Sequence, residues 1–156
     1  MAKQKMIDLL YELMKDSKRS DRELAKVVGV SQPTITRMRK TLEKQEYIRE
    51  YTVMPALEKL GFEILALNFI TANMTQEFNE WISKSPKILF AGFGQGLGGN
   101  TLLLVSVHKS LTDLSEFTHG IKSLFGSNIS FFKSFVSSLN VDVVKHFSFK
   151  NLERVK

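Results

Sequence analysis

Along the first half of the chain, Met6, Leu9, Leu10, Leu13 and Met14 recur at steps of three and four, the stripe of an amphipathic helix. A short second helix is expected to bury Leu24, Val27 and Val28, and its start is marked by Ser20 with Glu23 three residues on. That pair has the form of a capping box, in which each side chain satisfies an open amide at the other's position. Gly29 supplies the positive φ of a tight turn, and Ser31 stands ready to cap a third helix over 32–45 with Pro33 in its first turn. On a wheel of roughly 100° per residue, Ile35, Met38 and Leu42 fall on one side, so the third helix packs on the other two. Tyr47, Ile48, Tyr51, Thr52 and Val53 then carry strand propensity until Pro55 stops them, and they predict a small two-stranded wing.

The pattern changes after a joint over 55–61, expected to hold a single helical turn around Leu57 and Leu60. A strand is predicted over 62–71, a helix over 75–83 burying Phe78, Trp81 and Ile82, and strands over 88–93 and 101–107. A second helix over 111–125 carries Leu114, Phe117, Ile121 and Leu124 at helical spacing, and a fourth strand spans 129–136. The order β-α-β-β-α-β is that of a ferredoxin-like sandwich, two helices on one face of a four-stranded antiparallel sheet. The fold class is therefore α+β: a winged helix-turn-helix over 1–54, a hinge over 55–61 and a ferredoxin-like domain over 62–156. Strict alternation puts Ile129, Phe131 and Phe135 on one face of the fourth strand and Phe132 and Val136 on the other. A sheet apolar on both faces needs a further cover, which points to a homodimer or higher homo-oligomer. Residues 141–149 read as a further strand with no partner in one such unit, expected to join a neighbour's sheet.

Charge sharpens the picture. The 156 residues carry a net +6, and the first 60 hold 13 Lys and Arg against 9 Asp and Glu. Residues 31–40 contain Arg37, Arg39 and Lys40 and no acid, a window suited to a polyanion, although a basic run alone also describes a solvated face. On the third helix, Arg37, Lys40 and Lys44 lie opposite the apolar stripe, flanked by Thr36 and Thr41. Such a helix can enter the major groove of duplex DNA, where Arg and Lys read guanine, Gln reads adenine and a threonine methyl meets a thymine methyl. Gln32, Thr36, Arg37 and Lys40 are the groove candidates, and Ser31, Arg39, Lys44 and Arg49 the phosphate candidates. Arg39 borders the buried stripe and could instead pair with Glu43.

Other chemistry is thinly represented. The chain has no cysteine, which removes disulfides and thiolate metal sites. His108, His119 and His146 fall in no metal-ligand spacing and are expected at the surface or at helix ends. No nucleophile elbow, paired-carboxylate motif or phosphate loop appears, so neither enzyme activity nor a cofactor is expected. The run Gly94-Gln95-Gly96-Leu97-Gly98-Gly99 fits G-x-G-x-x-G, but a strand is predicted after it where a dinucleotide site needs a helix. The N-terminal segment, Met1 to Tyr11, mixes charges among its apolar residues, so it is expected to belong to the fold rather than to a secretion signal. The longest apolar run, over 64–70, is far short of the ~20 residues of a membrane span. A soluble, cytoplasmic protein with no membrane partner is the expectation.

Ser20-Asp21-Arg22-Glu23-Leu24-Ala25, Val28-Gly29-Val30-Ser31, Leu42-Glu43 and Tyr47-Ile48 resemble the DNA-binding half of the Lrp/AsnC (feast/famine) family of prokaryotic transcription regulators. Tyr51-Thr52-Val53 through Leu60-Gly61-Phe62 resembles that family's hinge into its effector and oligomerisation domain. The resemblance implies a sequence-specific regulator, modulated by an amino acid bound between subunits near the loop joining the second and third strands. Three departures stand out. Met38-Arg39 replaces a basic residue followed by an apolar one, Glu46 stands where the family has Gly, and residues 92–100 lack the family's acid. The effector candidates are then Gly94, Gly96, Gly98, Gly99 and Asn100, whose backbone amides could hold a carboxylate. The alternative is a small-molecule-binding or enzymatic ferredoxin-like protein whose N-terminal helices mediate protein contacts.

Overall fold

A computed structural model describes residues 2–96, 99–141, 143–150 and 152. The chain separates into two compact units, Met1–Met54 with His146–Lys156, and Pro55–Lys145.

The first unit is built from α1 (Ala2–Lys15), α2 (Asp21–Val28) and α3 (Gln32–Lys44). Leu9, Leu13, Leu24, Ala25, Val28, Ile35, Met38 and Leu42 form its buried core, with Met6, Leu10, Val30 and Ile48 packed against it. Burying three such helices on one another supplies the stability that helices this short lack alone. Val27 is 58% exposed, contrary to expectation, because it falls outside the stripe that Leu24, Ala25 and Val28 define on α2. Glu12, almost fully buried, stays charged by pairing with Lys15 and Arg19.

The expected two-stranded wing is absent among the described residues: 47–54 form no ladder. The backbone there has another use. Glu46 N–H donates to Glu43 O at 3.0 Å and Tyr47 N–H to Leu42 O at 2.9 Å, while Glu46 takes φ 57°. This is a Schellman closure of α3 with Glu46 in the left-handed position, and Ile48 makes the accompanying apolar contact with the core.

In the second unit a 3-10 turn, Leu57–Leu60, precedes β1 (Ile64–Ala72), α4 (Gln76–Lys84), β2 (Ile88–Gly96), β3 (Gly99–His108), α5 (Leu111–Phe125) and β4 (Ile129–Ser138). The antiparallel sheet runs β2-β3-β1-β4. Ile70, Leu102 and Leu104 meet Phe78, Phe117, Ile121 and Phe125 from the helices, and Phe78 stacks on Phe125 with centroids 4.4 Å apart. Leu124, expected at this face, is exposed and Phe125 takes its place. Ile129 also changes sides. The register slips between Thr71 and Ala72, so Ile129 packs in the helix-covered core with Phe132 rather than beside Phe131 and Phe135, because a bulge resets the alternation.

The opposite face presents Leu65, Leu67 and Phe69 of β1, Leu103 and Val105 of β3, and Phe131 and Phe135 of β4, none of them buried. Residues 141–149 form no strand among those described, so the expected addition to a neighbour's sheet has no preformed element here. His108 is a further correction: it is fully buried rather than at the surface. A polar chain crosses the sheet to reach it, Ser134 Oγ to Asn68 Oδ1 at 2.7 Å, Asn68 Nδ2 to Ser106 Oγ at 3.0 Å, and Ser106 Oγ to His108 Nε2 at 2.9 Å. His119 and His146 are exposed, and no metal-binding cluster occurs among the described residues. No helix among them is long and apolar enough to cross a membrane.

Candidate nucleic-acid interface

The candidate site is α3 and what holds it. Ser20 and Glu23 complete both halves of the capping box, Glu23 N–H to Ser20 Oγ at 3.3 Å and Ser20 N–H to Glu23 Oε2 at 2.8 Å. Gly29 ends α2 with φ 71° and ψ 48°, a conformation that a side chain disfavours. Lys5 Nζ donates to Val28 O at 2.6 Å, placing a cation at the negative end of α2. Ser31 occupies the N-cap of α3 in extended conformation, but its hydroxyl bonds Thr34 Oγ1 at 2.8 Å instead of a helix amide.

Asp21, in the first turn of α2, locks α3 in rotation. Its Oδ2 accepts from Thr36 Oγ1 at 2.7 Å, and its Oδ1 accepts from Arg39 Nη2 at 2.6 Å and Nε at 3.2 Å. The Thr36 hydroxyl and the Arg39 guanidinium hold the Asp21 carboxyl below its ordinary pKa, so the brace stays charged across the neutral range. Arg39 also reaches Tyr51 Oη at 3.5 Å, and Tyr51 donates to Glu43 Oε1 at 2.9 Å. The segment after α3 is thus pinned along the helix by a side chain, without a strand.

These bonds sort the candidates. Gln32, Arg37, Lys40 and Lys44 are exposed on α3, and Arg49 is exposed after it. Among the described residues none forms an ion pair with Arg37, Lys40, Lys44 or Arg49. Arg39 is different: its side chain is only 20% exposed and committed to Asp21, so it is a brace between helices rather than a free phosphate contact. Its partner is Asp21, not the Glu43 considered from sequence. Thr36 is exposed, with its hydroxyl proton already given inward. Asp21 and Tyr51 were missed in the sequence. Asp21 lies 15 positions from Thr36 and 18 from Arg39, and only the turn at Gly29 brings them together.

The described effector candidates, Gly94, Gly96, Gly99 and Asn100, lie in strands rather than in an open loop. Gly94 pairs with Thr101, Gln95 with Asn100 and Gly96 with Gly99, so these described residues lie in the β2–β3 ladder. Gly98 lies outside the described residues. Strand β3 follows at once, which removes the helix that a dinucleotide site would need. At Gly92 an added Cβ would lie 2.7 Å from Phe90 Cζ, so this glycine lets the Phe90 ring cover the backbone.

Known proteins match this arrangement. A family model described as winged helix-turn-helix DNA-binding matches residues 4–49. The HTH-type transcriptional regulator LrpC of Bacillus subtilis is 30% identical over 86 residues, 54% of this chain and 60% of LrpC. An uncharacterised HTH-type regulator of Pyrococcus abyssi is 28% identical over 116 residues, 73% of this chain and 78% of that one. An AsnC family regulator from Agrobacterium tumefaciens superposes with a TM-score of 0.74 at 22% identity, covering 92% of both chains. The chain is similar to Lrp- and AsnC-type regulators over most of its length. It is a DNA-binding transcription regulator. The same fold occurs in a Neisseria meningitidis transcriptional regulator described in complex with L-Met, with a TM-score of 0.76 at 18% identity over 94% of both chains.

Proposed function

We propose that this regulator reads a specific duplex sequence in the cytoplasm as a homodimer, with α3 in the major groove. Residues 1–54 act as the DNA-binding part, 55–61 as the hinge and 62–156 as the part that joins subunits, its sheet doing the joining while 146–156 cluster with the first unit. The carrying observation is the outward face of α3: exposed Gln32, Arg37, Lys40 and Lys44 have no carboxylate partner among the described residues, while the inward cation, Arg39, is consumed by Asp21. An exposed set of unpaired cations on a rigidly held helix suits phosphate and base edges together. The apolar sheet face with Leu67, Phe69, Leu103 and Phe135 supports the dimer, since water contact along such a face is unfavourable.

A ligand near the tip of the β2–β3 hairpin, at Gly94, Gly96, Gly98, Gly99 and Asn100, is part of the same reading. The Neisseria relative's L-Met supports a small molecule in this fold, whereas the absence of any Asp or Glu over 88–108 argues for one without a free ammonium. Selection of duplexes from fragmented genomic DNA, followed by binding at rising salt, tests the central claim. One enriched sequence with a steep loss of affinity as salt rises is expected; equal, salt-insensitive retention of all duplexes would refute it.

A further inference from the structure

Thr36 presents two chemically different groups from one Cβ, and the structure has already assigned one of them. Its Oγ1 lies 2.7 Å from Asp21 Oδ2 and 3.3 Å from Gln32 O. Both are acceptors, so the single hydroxyl proton is given to the protein. Asp21 is itself fixed, because Arg39 binds its other oxygen. The residue is nonetheless exposed, one turn from the start of α3. With Oγ1 turned toward α2, the group left to solvent is the methyl.

We infer that Thr36 is a specificity-determining residue that reads a thymine 5-methyl in the major groove by apolar contact, its hydroxyl serving only to fix the side chain's rotamer. The inference rests on α3 entering the groove as proposed above. A hydroxyl free to rotate would serve any base as donor or acceptor and discriminate little. A hydroxyl whose proton is held by Asp21 can no longer donate to a base, and a methyl in a fixed place distinguishes thymine from cytosine and from uracil. The Asp21 brace thus does two things at once: it sets the rotation of α3 and it sets which face of Thr36 meets the base.

The experiment uses the full chain and the best duplex recovered from a randomised pool. Each thymine in that duplex is replaced singly by deoxyuridine, which deletes only the methyl. Binding is compared for the wild type, Thr36→Val and Thr36→Ser, with circular dichroism confirming that each is folded. The wild type and Thr36→Val, which keeps the methyl, should each lose roughly fourfold at the same position of each half-site, the worth of one buried methyl group. Thr36→Ser, which lacks the methyl, should bind the thymine and uracil duplexes alike at that position. A recovered duplex at which no uracil substitution matters overturns the inference. So does a Thr36→Val protein that has lost the preference, since the hydroxyl would then be the reader. Failure to recover any preferred duplex overturns the DNA-reading proposal itself, and a preferred duplex without methyl dependence leaves that proposal standing while this one falls.

Discussion

Glu46 holds φ 57°, the one left-handed non-glycine among the described residues. That conformation brings a Cβ toward the following carbonyl and costs about 1–2 kcal/mol for an L-residue, yet the closure of α3 needs it. Glu46→Gly should therefore stabilise the protein by about 1 kcal/mol, less the entropy that glycine adds to the unfolded chain. A higher urea midpoint at unchanged slope would show it; no rise would mean that the turn relaxes when the side chain is present. The position was readable from the resemblance, which carries Gly there, but the strain was not, because it depends on the bonds from Glu46 and Tyr47 back to Glu43 and Leu42. At the interface, Arg37 and Lys44 differ in depth along α3. Arg37→Ala should cost about 1–3 kcal/mol on the best duplex and relax preference at one base position. Lys44→Ala should weaken binding to all duplexes alike and lower the salt slope. Fluorescence anisotropy on specific and random duplexes separates them, and equal losses for Arg37→Ala on both would remove it from base reading.

Local chemistry writes an element's ends and its buried stripe into the sequence, and tertiary contacts write the rest. Helix α3 was legible because Ser31, Pro33 and the stripe Ile35, Met38, Leu42 are all local signals. The wing was not, because strand propensity at Tyr47 and Ile48 lost to the amides' use in closing α3. Alternation along β4 was legible until the bulge at Thr71 and Ala72 moved Ile129 across the sheet. His108 carries the same lesson in the polar core. Its place at the end of β3, beneath α5, depends on the sheet register, and its ring lies 4.9 Å from Phe117. Burial holds its pKa below the ordinary value, outweighing the opposite pull of Asp113, whose carboxylate is 3.9 Å from Nδ1, with Lys87 adding to the lowering. The fold thus favours neutral imidazole. Below the unfolded value of about 6.5 the unfolded chain binds a proton that the folded chain resists, so stability falls as pH drops through that value toward the lower folded one. Thermal melts from pH 8 to 5 should show the wild type losing stability on acidification relative to His108→Gln. A constant difference between the two across that range would mean that His108 does not titrate differently on folding.

For the whole molecule, the proposed dimer rests on the sheet. Its helix-covered face is closed by Phe78, Phe117, Ile121 and Phe125, while Phe135 on the other face is 61% exposed. A second copy laid on that face would cover it, and sedimentation at micromolar concentration should give a dimer for the wild type and a folded monomer for Leu67→Glu, which places a charge at the centre of β1. A dimer brings two α3 helices to one duplex, and half-sites about one helical turn apart, or a multiple of it, follow. Assembly also bears on the proposed ligand. A free amino acid needs donors for its carboxylate and an acceptor for its ammonium. The β2–β3 hairpin offers Gln95 and Asn100 and no acid over 88–108, and many of its amides are paired between strands. A neutral oxygen holds an ammonium less well than a carboxylate does. Most of the standard amino acids at millimolar concentration should therefore leave both the melting temperature and the affinity for DNA unchanged. A clear thermal shift with one of them, lost on a bulky substitution at Gly94, would return this chain to the ligand class that its resemblance implies.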